Sequence, residues 1–117
     1  MQKFATIEVI HSIRKHHNAD TLSIARVLHY NVIIQTGTFK DGDWVVFIHP
    51  DTVLPDVQWA EFYKKKSTRV RALQLRSEWS FGIIEKISTF PELSNLTLNI
   101  GDEISNHIGV TKYCAPI

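Results

Sequence analysis

Six basic residues, Lys64, Lys65, Lys66, Arg69, Arg71 and Arg76, fall in a stretch that holds no acidic residue, and Trp79 follows three positions later. The chemistry such a run offers is polyanion binding, because each Lys or Arg brought to a phosphate releases a condensed counterion. Arginine suits fixed phosphate contacts because its planar fork donates two parallel bonds, whereas lysine acts as a point charge. An indole beside the run adds a stacking platform for a base, and Ser80 next to it adds a hydroxyl as a turn or binding group. The charge is local. The chain has 13 Lys+Arg against 12 Asp+Glu, a net charge of +1, and without the six residues 7 basic face 12 acidic, or −5. The competing reading of the same run is a solvated charged hairpin.

No other set of residues in the chain reads as catalytic. Cys114 is the only cysteine. It leaves no internal disulfide or Cys-based zinc site, and it has no His–acid pair beside it to activate a thiol. Ser80 lacks a GxSxG setting. His11, His16 and His17, with Asp20 after them, are metal-ligand types, but a structural zinc site needs four converging ligands. One strand residue and two turn residues are not forced to converge, so turn polarity is the expectation and no metal is assigned. His29, His49 and His107 are isolated. Lys40-Asp41-Gly42 reads as a hairpin turn. Phe4, Trp44, Phe47, Trp59 and Phe62 are assigned to the core, Trp79 to a ligand surface, with Tyr63 and Phe81 as weaker candidates for that surface.

The elements that must position this tract are mostly strands. Phe4 to Ile13 alternates, with Phe4, Thr6, Glu8 and Ile10 opposite Ala5, Ile7, Val9 and His11. His16-His17-Asn18-Ala19-Asp20 is a polar break, and Leu22 to Leu28 alternates again. His29-Tyr30-Asn31 is a short connection before a third strand at Val32 to Gln35. A glycine-bearing turn precedes Trp44 to Ile48, which has the look of a buried strand. Pro50 to Gln58 is loop-like. Trp59 to Lys66 fits a short helix with Trp59, Phe62 and Tyr63 on one face. Arg69 to Leu75 returns to strand, and Gly82-Ile83-Ile84 continues the sheet. Near the end, Ile104, His107 and Ile108 fit a short helix, with Asp102 and Glu103 at its positive N-terminal end and Gly109 just past it.

At 117 residues with 44% hydrophobic and 21% charged content, the chain reads as one globular domain over 1–117. The first residues lack the apolar run of a signal peptide, and no apolar run approaches membrane-spanning length. A cytoplasmic protein with no membrane partner is expected. Five or six short strands with one or two short helices describe a mostly β fold. The five-stranded Greek-key OB-fold barrel is the leading architecture, with an SH3-like barrel or small sandwich as alternatives.

Three segments then carry a resemblance. His16-His17-Asn18-Ala19-Asp20-Thr21-Leu22 resembles the HPNADxL element of tRNA-binding OB domains, including those attached to aminoacyl-tRNA synthetases. Leu75-Arg76-Ser77-Glu78-Trp79-Ser80-Phe81-Gly82-Ile83-Ile84 resembles the R-G-x-x-S-x-G-[MIL] element of the same domains. Ile108-Gly109-Val110-Thr111-Lys112-Tyr113 is similar to the segment joining an N-terminal OB domain to the catalytic domain in one family of ATP-dependent RNA ligases. Phe39 to Asp51 and Val53-Leu54-Pro55 also fit the ligase family better than the synthetase one. His17 stands where the pattern has proline, His49 where these ligases commonly carry an acid, and Ser77 where the pattern has a glycine that can supply positive φ.

The resemblance implies an RNA-binding accessory OB domain. Its partners would be RNA, as a nicked duplex, RNA end or tRNA, and a nucleotidyltransferase domain in cis after Ile117 or in trans. Such ligases act through a lysine in a KxDG motif, which this sequence lacks. No adenylation or sealing by this chain alone is therefore expected, and no cofactor is assigned to it; ATP and Mg belong to a linked ligase domain. The alternatives are a tRNA-binding module acting in trans, and a protein-interaction barrel whose basic tract docks on an acidic partner.

Overall fold

Strand β1, Ala5–Lys15, is long enough to serve two partners, and a bulge between Ile10 and Ser12 lets it turn from one to the other. Its first half pairs antiparallel with β4, Trp44–Ile48, from Ala5↔Ile48 to Val9↔Trp44. Its second half pairs with β2, Leu22–Val27, which pairs in turn with β3, Tyr30–Gln35. β9, Ile83–Lys86, adds to the other edge of β4, so the curled sheet runs β3-β2-β1-β4-β9. In this computed structural model residues 3–65 and 67–113 are described, so the predictions made for Lys66 and Cys114 lie outside the described residues.

Alternation along β4 divides the interior in two. Val45 and Phe47 point into the barrel, where they meet Ile10, Ala25, Val27, Val32, Ile34 and Ile84. Val46 and Ile48 point the other way, onto a layer containing Leu54, Ala60, Val70, Phe90, Leu93 and Ile108. Because both faces of β4 are covered, its sequence reads as an unbroken apolar run.

The barrel closes between β3 and the segment leading into β9. The Ser80 hydroxyl accepts from the Ile33 N–H at 2.9 Å, and the Phe81 N–H donates to the Asn31 carbonyl at 2.9 Å. Gly82 then turns the chain at φ 83°, where an added Cβ would lie 2.6 Å from the Ile48 carbonyl oxygen and 2.7 Å from a Phe47 ring carbon. Both the conformation and the contact require glycine.

The connection between β4 and this closing segment holds β5 (Thr52–Val53), helix α1 (Glu61–Lys64), β6 (Arg69–Val70), and a hairpin of β7 (Leu73–Leu75) and β8 (Glu78–Ser80). Helix α2, Ser105–Ile108, ends at Gly109 with φ 82°, and β10, Thr111–Lys112, pairs with β5. No helix among the described residues is long and apolar enough to cross a membrane.

Several expectations are corrected. Arg69 to Leu75 is not one strand: β6 pairs with β5 and β7 with β8, and Arg71-Ala72 redirects the chain between those two sheets. Tyr30 and Asn31 belong to β3, leaving Leu28-His29 as a two-residue turn with Leu28 at φ 54°. Phe62 is 71% exposed and Trp44 48%, so neither is core. Across the 3₁₀ turn Gln58–Ala60 and α1 the face toward the interior is that of Trp59, Ala60 and Tyr63. Glu103 does more than accept from the Ser105 N–H at the start of α2, at 3.4 Å. It also accepts from the Phe4 and Ala5 N–H groups, both at 2.9 Å, and fastens the start of β1.

Candidate nucleic-acid interface

The β7–β8 hairpin carries Arg76 in its turn and Trp79 on its second strand, while Lys64 ends α1, Lys65 follows it, Arg69 is on β6 and Arg71 comes just after β6. The hairpin's two-residue turn, Arg76-Ser77, has positive φ at both positions, 51° and 74°. That is the signature of the two-residue turn whose twist matches the flanking strands, and it favours Asn-Gly. Ser77 therefore holds a position suited to glycine. On β8, residues alternate between faces. Ser80 turns inward and is buried in the barrel seam, so its hydroxyl is committed to structure. Trp79, one residue earlier, is 51% exposed. Gln74 lies directly across from Trp79 and is also exposed.

The polar break after β1 comes to this hairpin. His17 Nδ1 lies 3.1 Å from Glu78 Oε1. His16 is buried, with its Nδ1 accepting from the Asn18 N–H at 3.0 Å, and the two imidazoles stack with centroids 5.1 Å apart. His16 thus shapes the turn from inside, while His17 faces the hairpin. His11 stands exposed at the bulge of β1. Among the described residues no group of three or more His, Cys, Asp and Glu side chains is arranged to hold a metal ion.

The basic residues are not equivalent. Lys65, Arg71 and Arg76 are exposed and make no ion pair among the described residues. Lys64 Nζ lies 3.0 Å from Asp56 Oδ1, a pair whose acid is 91% exposed and which is therefore weak. Arg69 is held by two partners. Its Nη2 donates to Asp51 Oδ1 at 2.6 Å, its guanidinium lies 4.0 Å above the Tyr113 ring, and its Nε is sealed without a hydrogen-bond partner among the described residues, although the side chain as a whole is partly exposed. The Tyr113 N–H donates to the Asp51 carbonyl at 3.1 Å, so Arg69 clasps β6 to the segment after β10. A shallow depression between α1 and the hairpin is lined by Leu54, Tyr63, Val70 and Ile83, with Arg69 and Arg71 along it. Tyr63 donates to Glu85, and burial, reinforced by that carboxylate, pushes the phenol above its ordinary range.

A second polar group lies inside the barrel wall. The Thr6 hydroxyl donates to Glu8 at 2.6 Å and lies 2.8 Å from His49 Nε2. Its one proton is given to the carboxylate, so His49 Nε2 must carry the proton it shares with Thr6. A base would need that nitrogen free, so this row is a closed hydrogen-bond chain and not an activated nucleophile. Burial lowers the His49 pKa from 6.5 to about 4, against the pull of Glu103, so the ring is neutral near pH 7. Sequence reasoning missed this chain because Thr6, Glu8 and His49 come together only across the β1–β4 pairing. It also missed Gln74, whose significance depends on register.

A family profile described as the PHA02142 OB-fold domain matches residues 4–87. No curated protein matches the chain. Among solved structures, a Naegleria gruberi RNA ligase in an apo mutant form is similar at TM-score 0.86 and 26% identity, over 100% of this chain and 37% of that one. A Naegleria gruberi RNA ligase with pyrophosphate is similar at TM-score 0.85 and 27% identity, over 100% and 37%. A mutant Naegleria gruberi RNA ligase with AMP and Mn is similar at TM-score 0.84 and 28% identity, over 99% and 37%. The chain therefore spans little more than a third of the length of these ligases.

Proposed function

The chain belongs to the PHA02142 OB-fold domain family, and from that membership we propose that it is an RNA-binding accessory domain of an ATP-dependent RNA ligase, docking RNA for a nucleotidyltransferase domain outside this chain. The observation that carries the reading is where the cationic residues stand. Arg71 and Arg76 are exposed and unpaired among the described residues, on the connection between the fourth strand and the closing strand of the barrel that also carries the exposed Trp79. The β1–β2 turn meets that connection through His17 and Glu78. These are the two loops with which OB barrels hold oligonucleotides. Similarity to RNA ligases supports a ligase over a free-standing tRNA module.

In this reading the free cations dock the RNA backbone, Trp79 stacks on a base or sugar, and Arg69 holds the scaffold. Phosphate contacts position the strand without reading it. No residue of this chain takes part in phosphoryl chemistry. The test is fluorescence anisotropy of the chain with single-stranded RNA, a nicked duplex with RNA on the 3′-OH side, and folded tRNA, at low and physiological salt. Salt-sensitive binding that prefers the nicked duplex is expected. A strong preference for tRNA would transfer the domain to the synthetase-associated type. No binding at low salt would make the tract a protein-docking surface.

A further inference from the structure

The outward face of the β7–β8 hairpin pairs two side chains with complementary chemistry. Gln74 and Trp79 are directly opposed in the antiparallel register, which places their Cβ atoms about 5 Å apart. Both are exposed, and neither the Gln74 amide nor the Trp79 indole N–H is hydrogen-bonded to a described residue. The residues next to them face the other way: Ser80 is in the seam, Leu73 lines the depression, and Glu78 meets His17. The hairpin thus lifts one aromatic plane and one amide clear of the barrel, with Arg76 at its tip and Arg71 shortly before its first strand, both unpaired among the described residues.

We propose that Trp79 and Gln74 form a one-base site that stacks an unpaired purine, adenine foremost, and reads its edge. The proposal rests on the RNA-binding reading and adds sequence selectivity to it. Trp79 supplies a stacking face open to any base, with purines gaining most from their larger area. Gln74 supplies an adjacent donor and acceptor, the complement of a base edge that offers an acceptor beside a donor. Adenine offers that pair on both its Hoogsteen edge, N7 and N6, and its Watson–Crick edge, N1 and N6. Each pyrimidine offers one such edge, and guanine offers it on its Watson–Crick edge, O6 and N1–H, but has two acceptors on its Hoogsteen edge. An unpaired base is required, because in an A-form helix the edges are out of reach of side chains and only splayed bases can be stacked and read. An apolar protein partner fits less well, since the same connection carries two exposed arginines, Arg71 and Arg76.

The test uses anisotropy with five labelled RNAs identical except at one unpaired nucleotide, which is A, G, C, U or abasic. For the wild-type chain the adenine RNA is expected to bind roughly tenfold more tightly than the abasic one, the size of one base–aromatic stack. Gln74→Ala should remove the preference for adenine over guanine, a purine of like stacking area, while keeping the abasic gap. Trp79→Ala should close the abasic gap, with Trp79→Phe restoring part of it. Both sites are exposed, so an unchanged melting temperature certifies the variants. Equal affinity of the wild type for all five RNAs, with salt dependence intact, would overturn the base site and leave the accessory reading standing. Loss of all RNA binding at low salt would overturn both. Binding of an acidic peptide abolished by Trp79→Ala would overturn the base site in favour of a protein dock.

Discussion

Two arginines two residues apart in the sequence, Arg69 and Arg71, are given opposite roles by the structure, and that difference sets a measurable magnitude. Three cations on the described interface, Lys65, Arg71 and Arg76, are exposed and unpaired among the described residues. If each meets one phosphate, the slope of log K against log salt on single-stranded RNA is about −2, and affinity falls about 16-fold between 50 and 200 mM salt. Arg71→Ala removes one contact. The slope should relax to about −1.4 and the same change in salt should cost about sevenfold, with thermal stability unchanged because the side chain makes no ion pair or hydrogen bond among the described residues. Arg69→Ala should do the reverse. The guanidinium is already engaged by Asp51 and the Tyr113 ring, so the slope should hold near −2 while the melting temperature falls. The assay is an anisotropy salt titration of both variants, with thermal unfolding of the same samples. The reasoning is refuted if Arg69→Ala relaxes the slope as much as Arg71→Ala does without loss of stability. Arg69 would then be a phosphate ligand whose pairing with Asp51 yields to RNA.

Two further outcomes follow from the backbone and the buried groups. Ser77→Gly relieves an αL conformation that costs an L-residue roughly 1–2 kcal/mol and gives back roughly 0.5–1 kcal/mol in backbone entropy. A net gain of about 0.5–1 kcal/mol, or about 2–5 °C in melting temperature, is therefore expected by calorimetry, and a loss would mean the Ser77 side chain holds the turn. His49 is held neutral, with a pKa of about 4 against 6.5 unfolded, so the unfolded chain binds more protons between those values. Stability should decline as pH falls from about 6.5 to about 4, by about 1–2 kcal/mol after discounting for the partly exposed ring. His49→Gln, which keeps a donor for Thr6, should flatten melting temperature against pH in that window. Glu103 is opposed by burial, but the Ala5 and Phe4 N–H groups and Ser105 lower its pKa overall. Its contribution is present above the ordinary carboxylate range and is lost only at lower pH, so the two effects separate.

The sheet was legible because its signals are local. Alternation in β1 and β2, the apolar run of β4 and the αL glycine after α2 each follow from a few neighbouring residues. The Arg69–Leu75 stretch was misread because periodicity cannot tell that a strand changes partners halfway, a fact set by the pairing of Val70 with Thr52 and of Leu73 with Ser80. Phe62 is exposed although it shares a helical stripe with Trp59 and Tyr63, because spacing cannot tell which of two adjacent aromatics turns inward; Tyr63, held by Glu85, takes that place. Glu103 is placed by its sequence at the start of α2, where it accepts from Ser105, but its bonds to β1 were not legible because the Phe4 and Ala5 N–H groups lie almost a whole chain away. For the interface, composition located the tract, but it could not rank its members. Arg69 and Arg71 differ only in what Asp51 and Tyr113 do in space.

The hairpin itself explains why one short element bears both fold and binding. From Gln74 to Gly82 successive side chains serve opposite faces. Ser80 and Gly82 close the barrel, and Glu78 anchors the β1–β2 turn through His17. Gln74 and Trp79 project outward, and Arg76 must accept positive φ to bring β7 and β8 into register. A ribbon built this way cannot shift its register by one residue without turning Ser80 out of the seam and Trp79 into it. The seam therefore fixes the presentation of the interface. Substitutions at inward positions should lower stability first, and those at outward positions should change RNA binding while leaving stability intact. A loop of the same composition would show no such alternation.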